Sequence, residues 1–566
     1  MIPRSGLLRG YRRAWLRGDL VAGVTVAAYL IPQVMAYATV AGLNPVIGLW
    51  AALPALVAYA IFGSSRSLSM GPEATTALMT AIAIRPLAAG HPAHYAALAT
   101  SLALLVGLMA LGAWALRLGF VADLLSRPVL VGYMAGVALI MIADQLQRVT
   151  GVPVTGQAFF AQLGEFARGI GDVRPATAAV AAAVLAFLLL LGSRWPHAPG
   201  PLLAVLLATA AVAALSLGSH GVNTVGPVPE ALPVPTLPDV RPGVLRELLL
   251  PAFIVLIVGF SDDVLTARSF RRGDENIVAN RELLALGVAN VGSSLLRGFP
   301  VSSSATRTAI GRATGSRTQV YSLAAAGTAL LSLLLLRPLL SRFPDPALGA
   351  IVIYAAIRLI DLLAFRRLLA FRRVELAIAV VTCVGVLALN ILYGVLVAIG
   401  LSVADLLVRV ARPHDAVLGQ VPGLAGMHDV DDYPEARTIP GLVVYRYDAP
   451  LFFANAENFR RRALAAADQQ QGPVRWFVLN VEANVEVDFT ALEALDAIRK
   501  EITRRGGVFA LARVKQDLLA RLRSFGLADA IGEERLFPTL PTAVEAYREW
   551  AARNGPETGK DDAGAG

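Results

Sequence analysis

Gly63-Ser-Ser-Arg-Ser-Leu-Ser-Met-Gly-Pro-Glu-Ala-Thr-Thr76 and Gly298-Phe-Pro-Val-Ser-Ser-Ser-Ala-Thr-Arg-Thr308 decide how this chain is read. Each is a Gly/Ser/Pro-rich break inside a hydrophobic run, and each leads into residues that can form a helix; about seven apolar segments separate them. Irregular backbone at membrane depth is tolerated only where it is buried in protein or lines a cavity. Paired breaks in two halves of an apolar chain mark the substrate site of transporters built from inverted repeats. A half-helix starting there turns its unbonded N–H groups and positive dipole end to the cavity, which favours an anion. The plainer alternative is two ordinary loops between short helices.

Composition supports the membrane reading. Of the 566 residues, 56% are hydrophobic, and mean hydropathy is +0.61. Apolar runs approach the roughly 20 residues a spanning helix needs at Leu20–Val40, Ala96–Leu116, Ala178–Leu191, Leu248–Phe260, Leu323–Leu336 and Ala377–Leu401. The last is long enough for two short helices with a tight turn near Asn390–Gly394. No convincing small-residue cleavage site follows the first run, so that run is expected to stay and act as the insertion signal.

The net charge of +9 does not point to nucleic acid. Its basic residues are nearly all Arg, with Lys only at positions 500, 515 and 560. They cluster in short loops: Arg4, Arg9, Arg12, Arg13 and Arg17 before the first span, then Arg268–Arg272 and Arg366–Arg373. Positive-inside bias puts those loops and the N-terminus in the cytoplasm. The lone Cys383 cannot form an intramolecular disulfide and reads as packing.

The expected organisation is a cytoplasmic N-terminus (1–19), a transmembrane region (20–412), a polar linker (413–438), a small α/β domain (439–552) and a disordered tail (553–566). In the α/β domain, Leu442–Tyr447, Trp476–Val481 and Val508–Ala512 read as strands, and Asn455–Asp468 and Thr490–Arg505 as helices. Strands alternating with helices imply a helix-covered sheet. Following an even number of spans, this domain is expected in the cytoplasm.

Leu30-Ile-Pro-Gln-Val-Met-Ala-Tyr-Ala38, Ala41-Gly-Leu-Asn-Pro45 and Gly48-Leu-Trp50 resemble the first-helix signature of the SulP family of anion permeases. Gly63-Ser-Ser-Arg66 with Gly71-Pro72, Asn280-Arg-Glu-Leu-Leu284 with Gly287 and Asn290, and Ser304-Ala-Thr-Arg-Thr308 follow in family order. The C-terminal domain is similar to a STAS domain. The resemblance, from about Leu7 to Trp550, implies fourteen spans in two inverted seven-helix repeats, a core domain moving against a gate domain, a polytopic inner-membrane location and commonly a homodimer.

Candidate site residues follow from both lines of reading. Arg307 lies in the second break; if Ser302 begins a half-helix, it sits in the second turn near the midplane. An intramembrane Arg is a functional hypothesis by default, and its fixed fork of donors suits an oxyanion. The plainer role is pairing with Asp262 or Glu73. Backbone amides of Ser303, Ser304, Ala305 and Thr306 could complete an anion cradle, opposed by Ala74, Thr75 and Thr76, although Ser and Thr also cap helices. Gln33 and Tyr37, four residues apart, share a helix face; the resemblance implies that both line the substrate cavity.

Asp262 is a carboxylate within a span. The resemblance implies proton or sodium coupling at this position, where Glu is common; Asp263 beside it departs from that pattern. Adjacent helical residues point about 100° apart, so Asp262 is expected to face the site and Asp263 to stand in reserve. Glu73 stays open between a proton carrier and a salt-bridge partner of Arg66 or Arg307. In the STAS-like domain, Val487-Asp-Phe-Thr-Ala-Leu492 carries Phe489 where anti-sigma-factor antagonists of this fold carry a phosphorylatable Ser, and Thr490 is expected to cap the following helix.

Enzyme motifs are missing. The six His residues are scattered, His91 and His94 share a loop without metal-ligand spacing, and there is no Walker loop. No cofactor or metal is expected. The sequence therefore reads as a secondary transporter of a small anion (sulfate, bicarbonate or a dicarboxylate) in a lipid bilayer, with proton- or sodium-coupled symport ahead of exchange. Its alternatives are a nucleobase permease of the same architecture, an uncoupled channel, and a membrane-tethered scaffold acting on a cytoplasmic partner of the STAS-like domain.

Overall fold

The computed structural model describes residues 11–88, 92–120, 126–154, 156, 158–195, 198–227, 233–238, 242–273, 275–389, 391–470 and 472–554. Arg4, Arg9, His91, Asn390 and residues 555–566 of the expected tail lie outside them. The chain divides into two compact units, Met1–Ser402 and Val403–Gly566.

The first unit is helical and built twice over. Its first set of seven principal helices is α1 (Leu16–Val40), α2 (Pro45–Phe62), α3 (Ala74–Ile84), α4 (Pro92–Ala115), α5 (Arg127–Asp144), α6 (Pro175–Arg194) and α7 (Gly200–Ala214), with the short helices Leu146–Thr150 and Phe159–Arg168 between α5 and α6. The second set is α8 (Pro242–Ser269), α9 (Ala279–Leu295), α10 (Ala305–Ala313), α11 (Val320–Leu335), α12 (Asp345–Leu359), α13 (Arg373–Leu389) and α14 (Ile391–Ala411), with the short helices Arg337–Leu340 and Leu362–Phe371 on either side of α12; α14 runs past Ser402 into the second unit. In each set the third helix is short, 11 residues in α3 and 9 in α10. Each follows a two-residue strand, β1 (Met70–Gly71) and β2 (Ser302–Ser303), and the two strands pair antiparallel, Met70 with Ser303 and Gly71 with Ser302. The breaks thus meet and satisfy part of their backbone on each other, as buried irregular backbone must. This is a fourteen-span fold of two seven-helix repeats.

Among the described residues, seven helices are long and apolar enough to cross a membrane, and α3, α7 and α11 are shorter apolar helices. Leu116, Leu190 and Leu335 are each at least two-thirds exposed, as lipid-facing residues are. Helices α1–α4 pack with α8–α11 to form one group: α4 lies on α9, α1 on α11, and α2 on α9. In the other, α5 lies on α13 and α6 on α12. Small residues permit these contacts, since helices in lipid gain by close van der Waals approach rather than by burial. A Cβ on Gly48 would stand 1.9 Å from the Val34 carbonyl oxygen, and one on Gly132 would stand 2.0 Å from that of Ala379. Helix α1 also touches α7 and α12 of the second group.

The second unit is a six-stranded sheet in the order β4-β3-β5-β6-β7-β8. It comprises β3 (Asp415–Gly419), β4 (His428–Asp429), β5 (Leu442–Tyr447), β6 (Trp476–Asn480), β7 (Val508–Ala512) and β8 (Leu536–Phe537). Strands β5 to β8 are parallel, and β3 joins β5 antiparallel. Helices α15 (Ala456–Asp468), α16 (Phe489–Arg504), α17 (Gln516–Ser524), α18 (Leu527–Ile531) and α19 (Leu540–Asn554) accompany them. Two apolar clusters occupy opposite faces: Val443, Phe477 and Phe509 on one, and Val444, Val478 and Ala510 on the other.

Two expectations need correcting here. Residues 413–438 are not a linker but carry β3 and β4. Alternating Ala416 and Leu418 bury against the sheet, and Asp415 accepts from the Tyr445 hydroxyl at 2.8 Å and from Arg462. Asp488, not Thr490, caps α16: its carboxylate accepts from the Ala491 amide at 2.8 Å, while Thr490 sits exposed inside the first turn. Phe489 is 66% exposed.

Candidate functional site at the crossing of the two breaks

Helix α10 begins at Ala305, capped by Ser304, so Arg307 lies in its first turn rather than its second. The reason is local: Ser302 and Ser303 are extended and paired with β1, and the Ser304 amide donates to the Ser69 carbonyl at 2.9 Å. Arg307 is wholly buried. Its Nη1 donates to the Pro72 carbonyl at 3.0 Å, while Nε and Nη2 have no partner among the described residues. A Cβ on Gly71 would stand 3.3 Å from Nη2, so the guanidinium lies close against this glycine. Arg307 forms no ion pair with Asp262 or Glu73 among the described residues; its charge is felt by Tyr37, Glu73 and Tyr321.

Glu73 caps α3. One of its carboxylate oxygens accepts from the Thr75 amide at 2.7 Å and from the Thr75 hydroxyl. It pairs with neither Arg66 nor Arg307 in the described structure. Thr75 is thereby spent on the protein's own carboxylate, and Thr76 donates its hydroxyl to the Glu73 carbonyl at 3.1 Å. The N-terminus of α3 therefore arrives with an anion already on it. Ala74 is 1% exposed beside it.

The α10 side keeps open donors. The amides of Ser303 and Ser304 are used, by Asp263 and Ser69, whereas Ala305 and Thr306 are exposed. Both line a cavity of about 370 Å³ with Gln33, Tyr29, Tyr354 and Arg358. Gln33 is only 5% exposed, and its side-chain oxygen has no partner among the described residues. Tyr37, one turn further along α1, is equally buried, and Glu73 and Arg307 act on it electrostatically. The walls of this cavity are the middle of α1, the end of α6, the start of α7, α10 and the end of α12. It opens at one end of the bundle, between the two helix groups.

The two adjacent carboxylates of α8 part company. Asp263 is wholly buried, and one of its oxygens accepts from the Ser303 amide at 2.6 Å. Asp262 is half-buried and makes no hydrogen bond or ion pair among the described residues; the charge that acts on it is Glu73.

Sequence reasoning missed the supports of the breaks. Glu282, wholly buried, accepts from the Tyr59 hydroxyl and the Ser64 amide, both at 2.8 Å. Gln319 donates to the Ser65 and Leu68 carbonyls at 2.8 and 2.9 Å, and the Tyr321 hydroxyl to Ser67 at 2.6 Å. Asn290 exchanges two 3.0 Å bonds with Val301. Asp19 accepts from the Thr318 amide and hydroxyl. Tyr29 and Arg358 of the cavity wall were also missed. Tyr29 had a usable signal, since it precedes Gln33 by four residues and shares its face; Arg358 carried none beyond being an Arg at the end of an apolar run.

The family model described as "Sulfate permease family" matches residues 16–382, and that of the STAS domain matches residues 433–543. A Mycobacterium tuberculosis protein named "Probable sulfate transporter Rv1739c" is 58% identical over 543 residues, covering 95% of this chain and 97% of the relative. "Sulfate transporter 3.1" of Arabidopsis thaliana is 29% identical over 569 residues, covering 95% and 85%. Among solved structures, murine Solute Carrier 26 family member A9, an anion transporter in the inward-facing state, aligns with TM-score 0.87 at 21% identity, covering 96% of this chain and 93% of that one. The transmembrane domain of the cyanobacterial bicarbonate transporter BicA aligns with TM-score 0.61 at 24% identity, covering 71% and 100%. The chain belongs to the sulfate permease family, with a STAS domain at its C-terminal end.

Proposed function

We propose that this chain is an anion transporter rather than an enzyme, and that it carries sulfate or a similar small oxyanion through the bilayer by alternating access. The observation that supports this best is the start of α10: Ala305 and Thr306 are exposed and line a cavity, and the next residue, Arg307, is buried without an ion-pair partner among the described residues. A guanidinium held in low dielectric sets a positive field that water does not screen. In this reading Arg307 acts through the field and by tying the second break to Pro72, and Ala305, Thr306, Gln33 and Tyr37 meet the anion.

The cavity is lined by the ends of α6 and α12, on the side of the Arg-rich stretch 366–373 that follows α12. Positive-inside bias makes that side cytoplasmic, so the arrangement is inward-open, and the even number of spans returns the C-terminal domain to the same side. That domain serves as a docking or regulatory module.

Asp262 is the coupling residue in this reading, because it is the intramembrane carboxylate of α8 left without a fixed partner; Asp263 is committed to the fold. Uptake of radiolabelled sulfate, bicarbonate and succinate into proteoliposomes, with and without an inward proton or sodium gradient, tests the whole proposal. Accumulation that follows one gradient is expected. Flux indifferent to both gradients but stimulated by internal anion would mean exchange and remove the role of Asp262.

A further inference from the structure

A second cavity, of about 550 Å³, lies at the opposite end of the bundle from the first. Its walls are the C-terminal ends of α3 and α5, the segment after α5 that carries Arg148 and Gln162, the start of α6, the segment after α7 and the start of α12. It is lined by charge. Arg85 at the end of α3 is bound to Asp144 of α5, both of its terminal nitrogens within 3.2 Å of one carboxylate oxygen. Gln162 donates to the same oxygen at 3.3 Å, and its own side-chain oxygen is buried without a partner.

Two further guanidinium groups have no such neutralisation. Arg148 donates to the Gln145 side chain at 3.2 Å and to the Thr39 carbonyl at 2.9 Å, and among the described residues no carboxylate lies within ion-pair distance of it. Asp144 and Asp345 act on it only from farther off. The stem of Arg174 lies over Gly151, 2.8 Å from where a Cβ would stand, and its guanidinium hangs beside Gly221. Arg174 too has no carboxylate partner among the described residues. Three guanidinium groups against two carboxylates leave the cavity net positive.

We propose that this cavity is an outer collecting site for small oxyanions, in which Arg148 and Arg174 bind the anion before it reaches the central site. The inference rests on the transport reading above. A doubly charged oxyanion suits it better than a halide, because the Arg174 fork can engage a pair of its oxygens while the Arg148 guanidinium, held by Gln145 and Thr39, adds a second positive charge. The bidentate grip of Asp144 keeps Arg85 from competing, so the well stays shallow enough to release its occupant inward. Electrostatic focusing in such a cleft raises local anion concentration and the rate of capture.

Sidedness tests the proposal. Sulfate uptake by intact cells presents the outer face, and uptake by inverted membrane vesicles presents the inner one. Arg174→Gln keeps the stem over Gly151 and removes the guanidinium, charge and fork together. It is expected to raise the sulfate KM in cells about fivefold with maximal rate held within about twofold, and to leave the KM in inverted vesicles unchanged. Arg174→Lys is expected to recover part of the loss, and Arg148→Gln to act on the same side. An equal change on both faces would make these arginines structural ties, and no change on either would leave the cavity without an anion; both overturn the proposal. Equilibrium binding of radiolabelled sulfate to purified Arg307→Ala protein decides independently of flux. A residual component abolished by adding Arg174→Gln is expected, and its absence sinks the collecting site. If the wild type moves no sulfate yet shows that component, the transport reading alone fails.

Discussion

The carboxylate of Asp263 accepts from the Ser303 amide at 2.6 Å, which fastens α8 to the second break at the point where its backbone leaves β2. Its neighbour Asp262, one residue earlier on the same helix, has no hydrogen bond to any described residue. One carboxylate is therefore committed to the fold, and the other keeps no fixed partner among the described residues. Removing a partner from a buried amide costs about 1–3 kcal/mol. Asp263→Ala is expected to lower the melting temperature and the folded yield. Asp262→Asn is expected to melt as the wild type does, yet lose gradient-driven accumulation while still binding anion. Full, gradient-dependent uptake by Asp262→Asn would end its candidacy.

Arg307 supplies both a charge and a bond to Pro72. Arg307→Ala is expected to raise the anion dissociation constant at least tenfold, about 1.4 kcal/mol. Arg307→Lys keeps the charge but not the fork, so it should fall between the two. Titration of anion binding on the purified variants checks this. A Lys variant as weak as the Ala one would assign the effect to the lost bond to Pro72, and an unchanged constant in both would leave Arg307 with a structural role alone.

Much of this was legible in the chain. The two breaks showed in Gly71-Pro72 and in Ser302-Ser303-Ser304, because Gly, Pro and Ser interrupt apolar helices for reasons of backbone chemistry. Gln33 was legible through spacing and family resemblance together. What could not be read is which donors were already taken. The amide of Thr75 looks like that of Thr306 in sequence, yet one is spent on Glu73 and the other faces a cavity. The Glu73 cap is a local contact, two residues from Thr75, but the pairing that uses up the Ser304 amide is with Ser69, more than two hundred residues away, and no local pattern encodes it. Residues 413–438 failed for a related reason: Asp415–Gly419 is short and polar at its edges, and becomes a strand only because β5 is there to pair with it.

The C-terminal domain yields a pH prediction outside the membrane. Asp496 on α16 is partly buried, which pushes its carboxyl up, but hydrogen bonds from Lys500 and Arg499 and the charges of both outweigh that and hold it below the usual range. A carboxyl depressed on folding adds stability that is complete above its unfolded value and is lost as pH falls toward the folded one. Asp496→Asn should thus melt below wild type at pH 7, by a margin that shrinks on titration through pH 4 and below. Differential scanning of the full chain across that range reads the margin, and a constant gap would refute the linkage.

Glu73 caps α3 through Thr75 and thereby sets a negative charge against the positive field of Arg307. Glu73→Gln retains a side-chain oxygen able to accept from the Thr75 amide, so the helix start should survive. What disappears is the repulsion of an incoming anion and the electrostatic pressure on Asp262. At an effective dielectric of about 20, a unit charge several ångströms away is worth on the order of 1 kcal/mol or more, so sulfate is expected to bind several-fold more tightly to the variant. If Glu73 also shares the coupling ion with Asp262, tighter binding should come with weaker gradient dependence of uptake. Binding and gradient-driven uptake measured on the same preparation separate the two effects. Weaker binding would mean that the carboxylate organises the site more than it repels the anion.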